Sequence, residues 1–305
     1  MNPSGDGILV ADLPGGDGVD VLMPVARPSP LVVSSPHSGR IFPPSFLRQV
    51  QVGTASLRRS EDAFVDDLFS HAPALGAPLI SAKFPRVYVD VNREPLELDP
   101  RMFEGRLPPG ANSRSLRVAG GLGTVARLAG DGRELYGTRL PVSEALSRIE
   151  RCYLPYHAKL TTLIASARAA FGFCILIDAH SMPSTMASTG SKEEPMRADF
   201  VIGDRFGSSC DARLAEGLES HLRAAGYMVQ RNKPYAGGYI TEHYGKPYAQ
   251  VHAVQIEINR ALYMDEITLA RSSKFDGLKA KISNLLNYIN DMAIQEFMAP
   301  RRAAE

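Results

Sequence analysis

Two histidines stand at what read as strand ends. Phe173-Cys-Ile-Leu-Ile-Asp-Ala-His-Ser-Met-Pro-Ser184 opens as an apolar run, delivers Asp178, His180 and Ser181, and is broken by Met182-Pro183. Leu31-Val-Val-Ser-Ser-Pro-His-Ser-Gly39 has the same layout and delivers His37. In a mostly parallel sheet, chemistry gathers beyond the carboxyl ends of the strands. A lone buried histidine is usually a hydrogen-bonded core residue. Two at corresponding strand ends can give two nitrogens to one zinc. His180 follows an aspartate on the same side of its strand, which suits metal ligation. A shared ion requires the ring nitrogens of His37 and His180 to lie within about 6 Å of each other.

Zinc in a catalytic site takes few neutral or anionic ligands and keeps one position for water. Two histidines and one carboxylate meet that demand. Glu61 and Asp62 open a predicted helix, where acids complement the helix dipole; the alternative is that one of them reaches the metal. Glu257 lies in Val254-Gln255-Ile256-Glu257-Ile258, where alternation puts Gln255 and Glu257 on one face of an otherwise apolar strand. The competing structural reading is an ion pair with Arg260 or a neighbour. A buried acid there must find a partner or its pKa rises. Either outcome suits a general base acting on a metal-activated water. Arginine forks clamp carboxylates, which makes Arg93 and Arg86 candidates; seven apart on one predicted strand, they need not act together. Ser38 and Ser181 read as loop hydrogen-bonders, since no G-x-S-x-G elbow and no H-E-x-x-H helix occurs. Gly120-Gly121-Leu122-Gly123 fits neither phosphate-binding glycine pattern.

The elements that must position these groups follow from periodicity. Strands are expected at 31–35, 79–84, 86–91, 173–177, 199–202, 227–230 and 251–258. Ser60 caps a helix to about His71. Ser143 to about Ala170 is a long helix that Pro155 should kink. Ser208–Ala225 is another, and Asp265 caps a terminal helix to about Phe297. Residues 94–139 have no sustained period, and a loop that long is more often functional than idle. The glycine-bearing loop 232–245 is expected to close over a ligand. The order is that of an α/β fold, a mixed, largely parallel central sheet flanked by helices. Residues 1–28 read as a flexible N-terminal arm and 29–305 as a single domain.

Composition narrows the classes. The 305 residues carry a net charge of +1, so no footprint for nucleic acid exists. No stretch approaches the roughly 20 apolar residues of a membrane span, and no signal-peptide layout opens the chain. Three scattered cysteines give no disulfide framework. A cytoplasmic enzyme with a small-molecule substrate is the expectation, with the oligomeric state open.

Taken together, the motifs resemble those of the N-formylglutamate amidohydrolase family. They are Ser35-Pro-His-Ser-Gly39, Asp90-Val-Asn-Arg93, Ile177-Asp-Ala-His-Ser-Met182, Gly237-Gly-Tyr-Ile-Thr-Glu-His-Tyr-Gly245 and Val251-His-Ala-Val-Gln-Ile-Glu-Ile-Asn-Arg260. Each is weak alone; their order and spacing over roughly residues 30–295 are specific. The resemblance implies a zinc-exopeptidase-like fold, related to zinc carboxypeptidases and aspartoacylase-type deacylases. It implies hydrolysis of N-formyl-L-glutamate to formate and L-glutamate, a last step of one histidine-degradation route. It gives His37 and His180 as metal ligands and Glu257 as general base. Asn92 and Arg93 would grip a substrate carboxylate, and Arg86 would steady the carbonyl oxygen. Gly238, Tyr239 and His243 of the closing loop would meet the substrate. The wider superfamily often writes its first ligands as H-x-x-E, but Arg40 stands three after His37. The resemblance then favours Asp62 as the carboxylate ligand, with Glu61 and Asp66 left as alternatives. Glu242 is a second departure, because a basic residue there would suit a dicarboxylate better. The alternatives are the same zinc chemistry on another N-acyl amino acid or short peptide, or a non-catalytic binding protein on this scaffold.

Overall fold

In a computed structural model, residues 8–27, 29–185, 188–190 and 195–298 are described. The strands are β1 (Val19–Leu22), β2 (Leu31–Ser35), β3 (Leu79–Ala82), β4 (Cys174–Met182), β5 (Phe200–Gly203), β6 (Val229–Arg231) and β7 (Val251–Asn259), all but the first at expected apolar runs. They form one sheet in the order β6-β5-β7-β4-β2-β3-β1. The four central strands β7, β4, β2 and β3 are mutually parallel. β5 runs against β7, with β6 parallel to it, and β1 runs against β3. The sheet is therefore mixed and largely parallel, as read from the sequence.

Helices α1 (Leu154–Phe171), α2 (Ala212–Ala224), α3 (Tyr239–Tyr244) and α4 (Phe275–Phe297) flank it. Period-two alternation divides the core between its faces. Ile175, Ile177, Val254 and Ile256 pack with Leu214 and Leu218 of α2 and Ile282 and Leu285 of α4. Cys174, Leu176, Val251 and Ala253 pack with Tyr156, Leu160 and Ala167 of α1. The same alternation puts Asp178, His180, Gln255 and Glu257 on the α1 side, at the carboxyl ends. The β4–β7 register sets Gln255 beside Asp178 and Glu257 beside His180. No helix among the described residues is long and apolar enough to cross a membrane.

Several local expectations yield to tertiary contacts. The helix from Ser60 to about His71 does not form as one piece. The Asp62 N–H donates to the His37 carbonyl at 3.0 Å, and Phe64 takes left-handed backbone with φ 65°. Only Val65–Leu68 and a 3₁₀ turn at Ala72–Leu75 are helical. Ser60 caps nothing; its Oγ accepts the Gly130 N–H at 2.8 Å. Residues 86–91 are turns rather than a strand. Within the stretch read as an arm, Val19–Leu22 is an edge strand paired with β3. Asp265 does not cap the last helix, which begins at Phe275; its carboxylate accepts the Ile267 and Thr268 N–H groups in a turn. Pro155 sits in the first turn of α1, directly after a π turn at Ile149–Tyr153, where its missing N–H interrupts the regular helix.

Candidate active site

Three buried groups converge at the carboxyl edge of β2 and β4. His37 follows β2 in a turn that presses its backbone on residue 84. A Cβ at Gly39 would lie 2.0 Å from the Phe84 carbonyl oxygen, so only glycine fits. His180 is near the end of β4, and Asp62 is held under His37 by the backbone bond just described. His180 Nδ1 is 2.9 Å and His37 Nδ1 3.4 Å from Asp62 Oδ2. The ligand atoms of the three residues lie within 4.8 Å of one another. The two histidines thus meet the spacing that a shared ion requires.

Each histidine is turned by a carboxylate on its other nitrogen. Asp90 Oδ1 is 2.7 Å from His37 Nε2, and Asp178 Oδ2 is 3.0 Å from His180 Nε2. This carboxylate–histidine arrangement fixes metal-ligating imidazoles in their productive tautomer. Asp178 therefore supports His180 rather than joining the cluster. His37 Nδ1 is buried and has no hydrogen-bond partner among the described residues. An orphan nitrogen beside a carboxylate oxygen and a second imidazole fits a cation. The local field agrees. Burial disfavours a charged His180, yet Asp178 and Asp62 raise its pKa well above the ordinary value. Burial likewise opposes ionisation of Asp62, but His180 and His37 hold its pKa well below the usual carboxylate range.

Asp62 has a second anchor. Arg260 Nη2 donates to its Oδ1 at 3.1 Å, and Arg260 Nε donates to Ser181 Oγ at 3.1 Å. Arg260, one of the possible partners of Glu257, is spent on Asp62 instead. Glu257 accepts from Gln255 Nε2 at 2.8 Å. Burial pushes its pKa up to about 7, against the pull of His180.

Arg86 and Arg93 do meet. Because 86–91 turns instead of extending, Arg86 Nη2 and Arg93 Nη2 both face Asp90 Oδ2, at 2.7 and 3.8 Å. Arg93 is otherwise held by carbonyls, of Leu122 at 2.9 Å and of Asn92 at 2.8 Å. Burial lowers its pKa to about 10, opposed by Asp90.

These groups open into a cavity of about 480 Å³. Six arginines line it, Arg59, Arg86, Arg93, Arg117, Arg205 and Arg260, against the acids Asp62 and Glu257. The irregular 94–139 stretch contributes Arg117 and Leu122 to the wall. Glu242 does not confront the cavity as a bare acid; it pairs with Arg205 Nη2 at 2.8 Å.

The other expected substrate contacts divide. Gly238 lines the cavity. A Cβ on it would meet Asn92 side-chain atoms at 2.4–2.6 Å, so this close approach requires glycine. Asn92 also lines the cavity, but both ends of its amide are engaged: Oδ1 accepts the Ile240 N–H at 2.7 Å, and Nδ2 lies 3.1 Å from His180 Nε2. Tyr239 and His243 do not line it; their rings stack on each other at 4.9 Å on α3. Asp90, Arg117 and Arg205 were not singled out from the sequence. Asp90 alone had a signal there, because it opens the Asp-Val-Asn-Arg motif.

The model of the N-formylglutamate amidohydrolase family matches residues 29–264. The N-formylglutamate deformylase of Pseudomonas aeruginosa PAO1 is 32% identical over 243 residues, covering 78% of this chain and 83% of the relative. That of Pseudomonas putida is 31% identical over 240 residues, covering 78% and 82%. The crystal structure of N-formylglutamate amidohydrolase from Ralstonia eutropha JMP134 superposes with a TM-score of 0.85 at 35% identity, over 92% of this chain and 99% of that one. The Atu2144 product of Agrobacterium tumefaciens shares the fold, with a TM-score of 0.62 at 20% identity.

Proposed function

The chain belongs to the N-formylglutamate amidohydrolase family and is a hydrolase of amide bonds, and we propose that it converts N-formyl-L-glutamate to formate and L-glutamate. The reading is carried by one observation: His37 Nδ1, His180 Nδ1 and Asp62 Oδ2 converge in a cavity that Glu257 also lines. We assign these three as the ligands of one zinc. When bound, zinc supplies Lewis acidity toward the formyl carbonyl and lowers the pKa of a water to about 7.

The protein's own groups carry the proton and hold the substrate. Glu257 takes a proton from the attacking water as the new C–O bond forms at the formyl carbon. It returns that proton to the amine nitrogen as the C–N bond breaks. A carboxyl with a pKa near 7 suits both transfers. Arg86 faces the developing oxyanion and Arg93 the α-carboxylate. Several cavity guanidiniums, held in place by Asp90, Asp62 and Glu242, can make two-point contacts with a substrate that has two carboxylates. Gly238 lets the 236–240 segment approach the site, while Tyr239 and His243 brace α3 behind it. We place the reaction in the cytoplasm, at the end of a histidine-degradation route; Cys152, Cys174 and Cys210 are free, buried thiols, as a reducing compartment keeps them.

The test couples metal analysis to formate release from N-formylglutamate, with N-formylaspartate, N-acetylglutamate and short formyl peptides in parallel. About one equivalent of zinc, loss of turnover on chelation and recovery on zinc addition are expected. Full turnover by metal-free protein would remove the zinc assignment. Turnover confined to another acyl compound would move the substrate.

A further inference from the structure

We infer that Gln255 is a positioning residue for Glu257, and that through Gly238 it ties the 236–240 segment to the general base. Gln255 is buried on β7 with both ends of its amide in use. Its Oε1 accepts the Gly238 N–H at 2.6 Å, and its Nε2 donates to Glu257 Oε1 at 2.8 Å. The orientation is dictated by chemistry: the backbone N–H needs an acceptor, and an ionised carboxylate can only accept. A carboxylate at 255 could take the first bond but not give the second, and an apolar side chain could do neither. Further down the same face of the strand stand Val251 and Ala253, packed in the core. A buried amide beyond them is costly unless both ends are satisfied.

The segment that Gln255 holds is clasped from its other side as well. Asn92 accepts the Ile240 N–H at 2.7 Å and reaches His180 with its Nδ2. Gly203 lies flat beneath, since a Cβ there would come 2.7 Å from the Ala236 carbonyl carbon. One short stretch of backbone is thus bonded at Ile240 to a residue that touches His180, and at Gly238 to a residue that touches Glu257. Its position and the direction of the Glu257 carboxylate are set together. The inference rests on the reading of Glu257 as the base.

Two substitutions separate the two bonds. Gln255→Met removes both, and Gln255→Glu keeps an acceptor for Gly238 while removing the donor to Glu257. We expect both to lower kcat by about 10²-fold, the order of loss from a misplaced catalytic group. KM and zinc content should stay within about threefold of wild type. Amide hydrogen exchange over residues 236–240 should speed up in Gln255→Met and stay slow in Gln255→Glu. A kcat near wild type in either variant overturns the positioning role, as does a loss confined to KM or to zinc content. If the wild type releases no formate, the substrate reading falls by itself. The exchange arm then still decides the clasp: equal protection in Gln255→Met and wild type overturns it, and selective loss in Gln255→Met supports it.

Discussion

His37 Nε2 lies 2.7 Å from Asp90 Oδ1, and Arg86 holds the other oxygen of that carboxylate at the same distance. Asp90 thereby links an imidazole of the His37–Asp62–His180 cluster to a guanidinium that lines the cavity. Asp90→Asn should weaken zinc binding by about 10–100-fold, as removal of such supporting carboxylates does. Competition against a chromophoric chelator measures it. Unchanged affinity would show that the imidazole needs no carboxylate to orient it.

The proposed base role of Glu257 can be separated from metal binding. Glu257→Gln keeps the size of the side chain but removes the proton acceptor. Zinc content should stay at the wild-type value while kcat falls by about 10²–10⁴-fold. A variant that retains kcat would take Glu257 out of the proton-transfer scheme.

Arg93 tests recognition. Its fork is already aligned by the carbonyls of Leu122 and Asn92, so Lys cannot replace it. Arg93→Lys should lower kcat/KM by about 10–100-fold, matching the loss of a charged hydrogen-bonded contact. Steady-state kinetics with N-formylglutamate checks this; full rescue by Lys would argue for charge alone.

Gly238 is a steric prediction. A Cβ there would collide with Asn92 at 2.4–2.6 Å. Gly238→Ala should cost about 1–3 kcal/mol of stability through overpacking, and activity should fall as the segment moves. Thermal unfolding with formate release reports both; an unaltered melting curve would refute the close approach.

His157 gives a pH dependence of stability. It stands beneath the 91–93 segment, with Nε2 2.8 Å from the Val91 carbonyl and Nδ1 2.9 Å from the Tyr244 hydroxyl. Burial lowers its pKa from 6.5 to about 4, opposed by the bond to Val91. Between those values the unfolded chain binds the proton and the folded one does not. The stabilisation is therefore whole above pH 6.5 and is lost as pH falls toward 4. Urea midpoints at pH 7.5 and 5 should show a larger acid loss in wild type than in His157→Gln. Parallel losses would assign the dependence to other groups.

Local pattern alone determined a good part of this protein. The apolar runs at 31–35, 173–177 and 251–258 specify strands, because a buried strand needs nothing more than β-rich apolar residues bounded by breakers. The polar residues that end those runs, His37, His180 and Glu257, were legible for the same reason. Period two then put Gln255 and Glu257 on one face before any contact was known.

Tertiary structure decided what completes the site. Asp62 is presented by a turn, because its N–H bonds the His37 carbonyl and Phe64 turns left-handed; helix periodicity in the sequence argues for the opposite. Arg86, Arg93 and His37 share Asp90 because 86–91 curls, a shape set by its neighbours and not by its own β-rich residues. Arg260 reaches Asp62 across 198 residues of sequence. Strand formation depends on neighbours in the chain, whereas a carboxylate becomes a ligand, a support or a base only through the groups that surround it after folding.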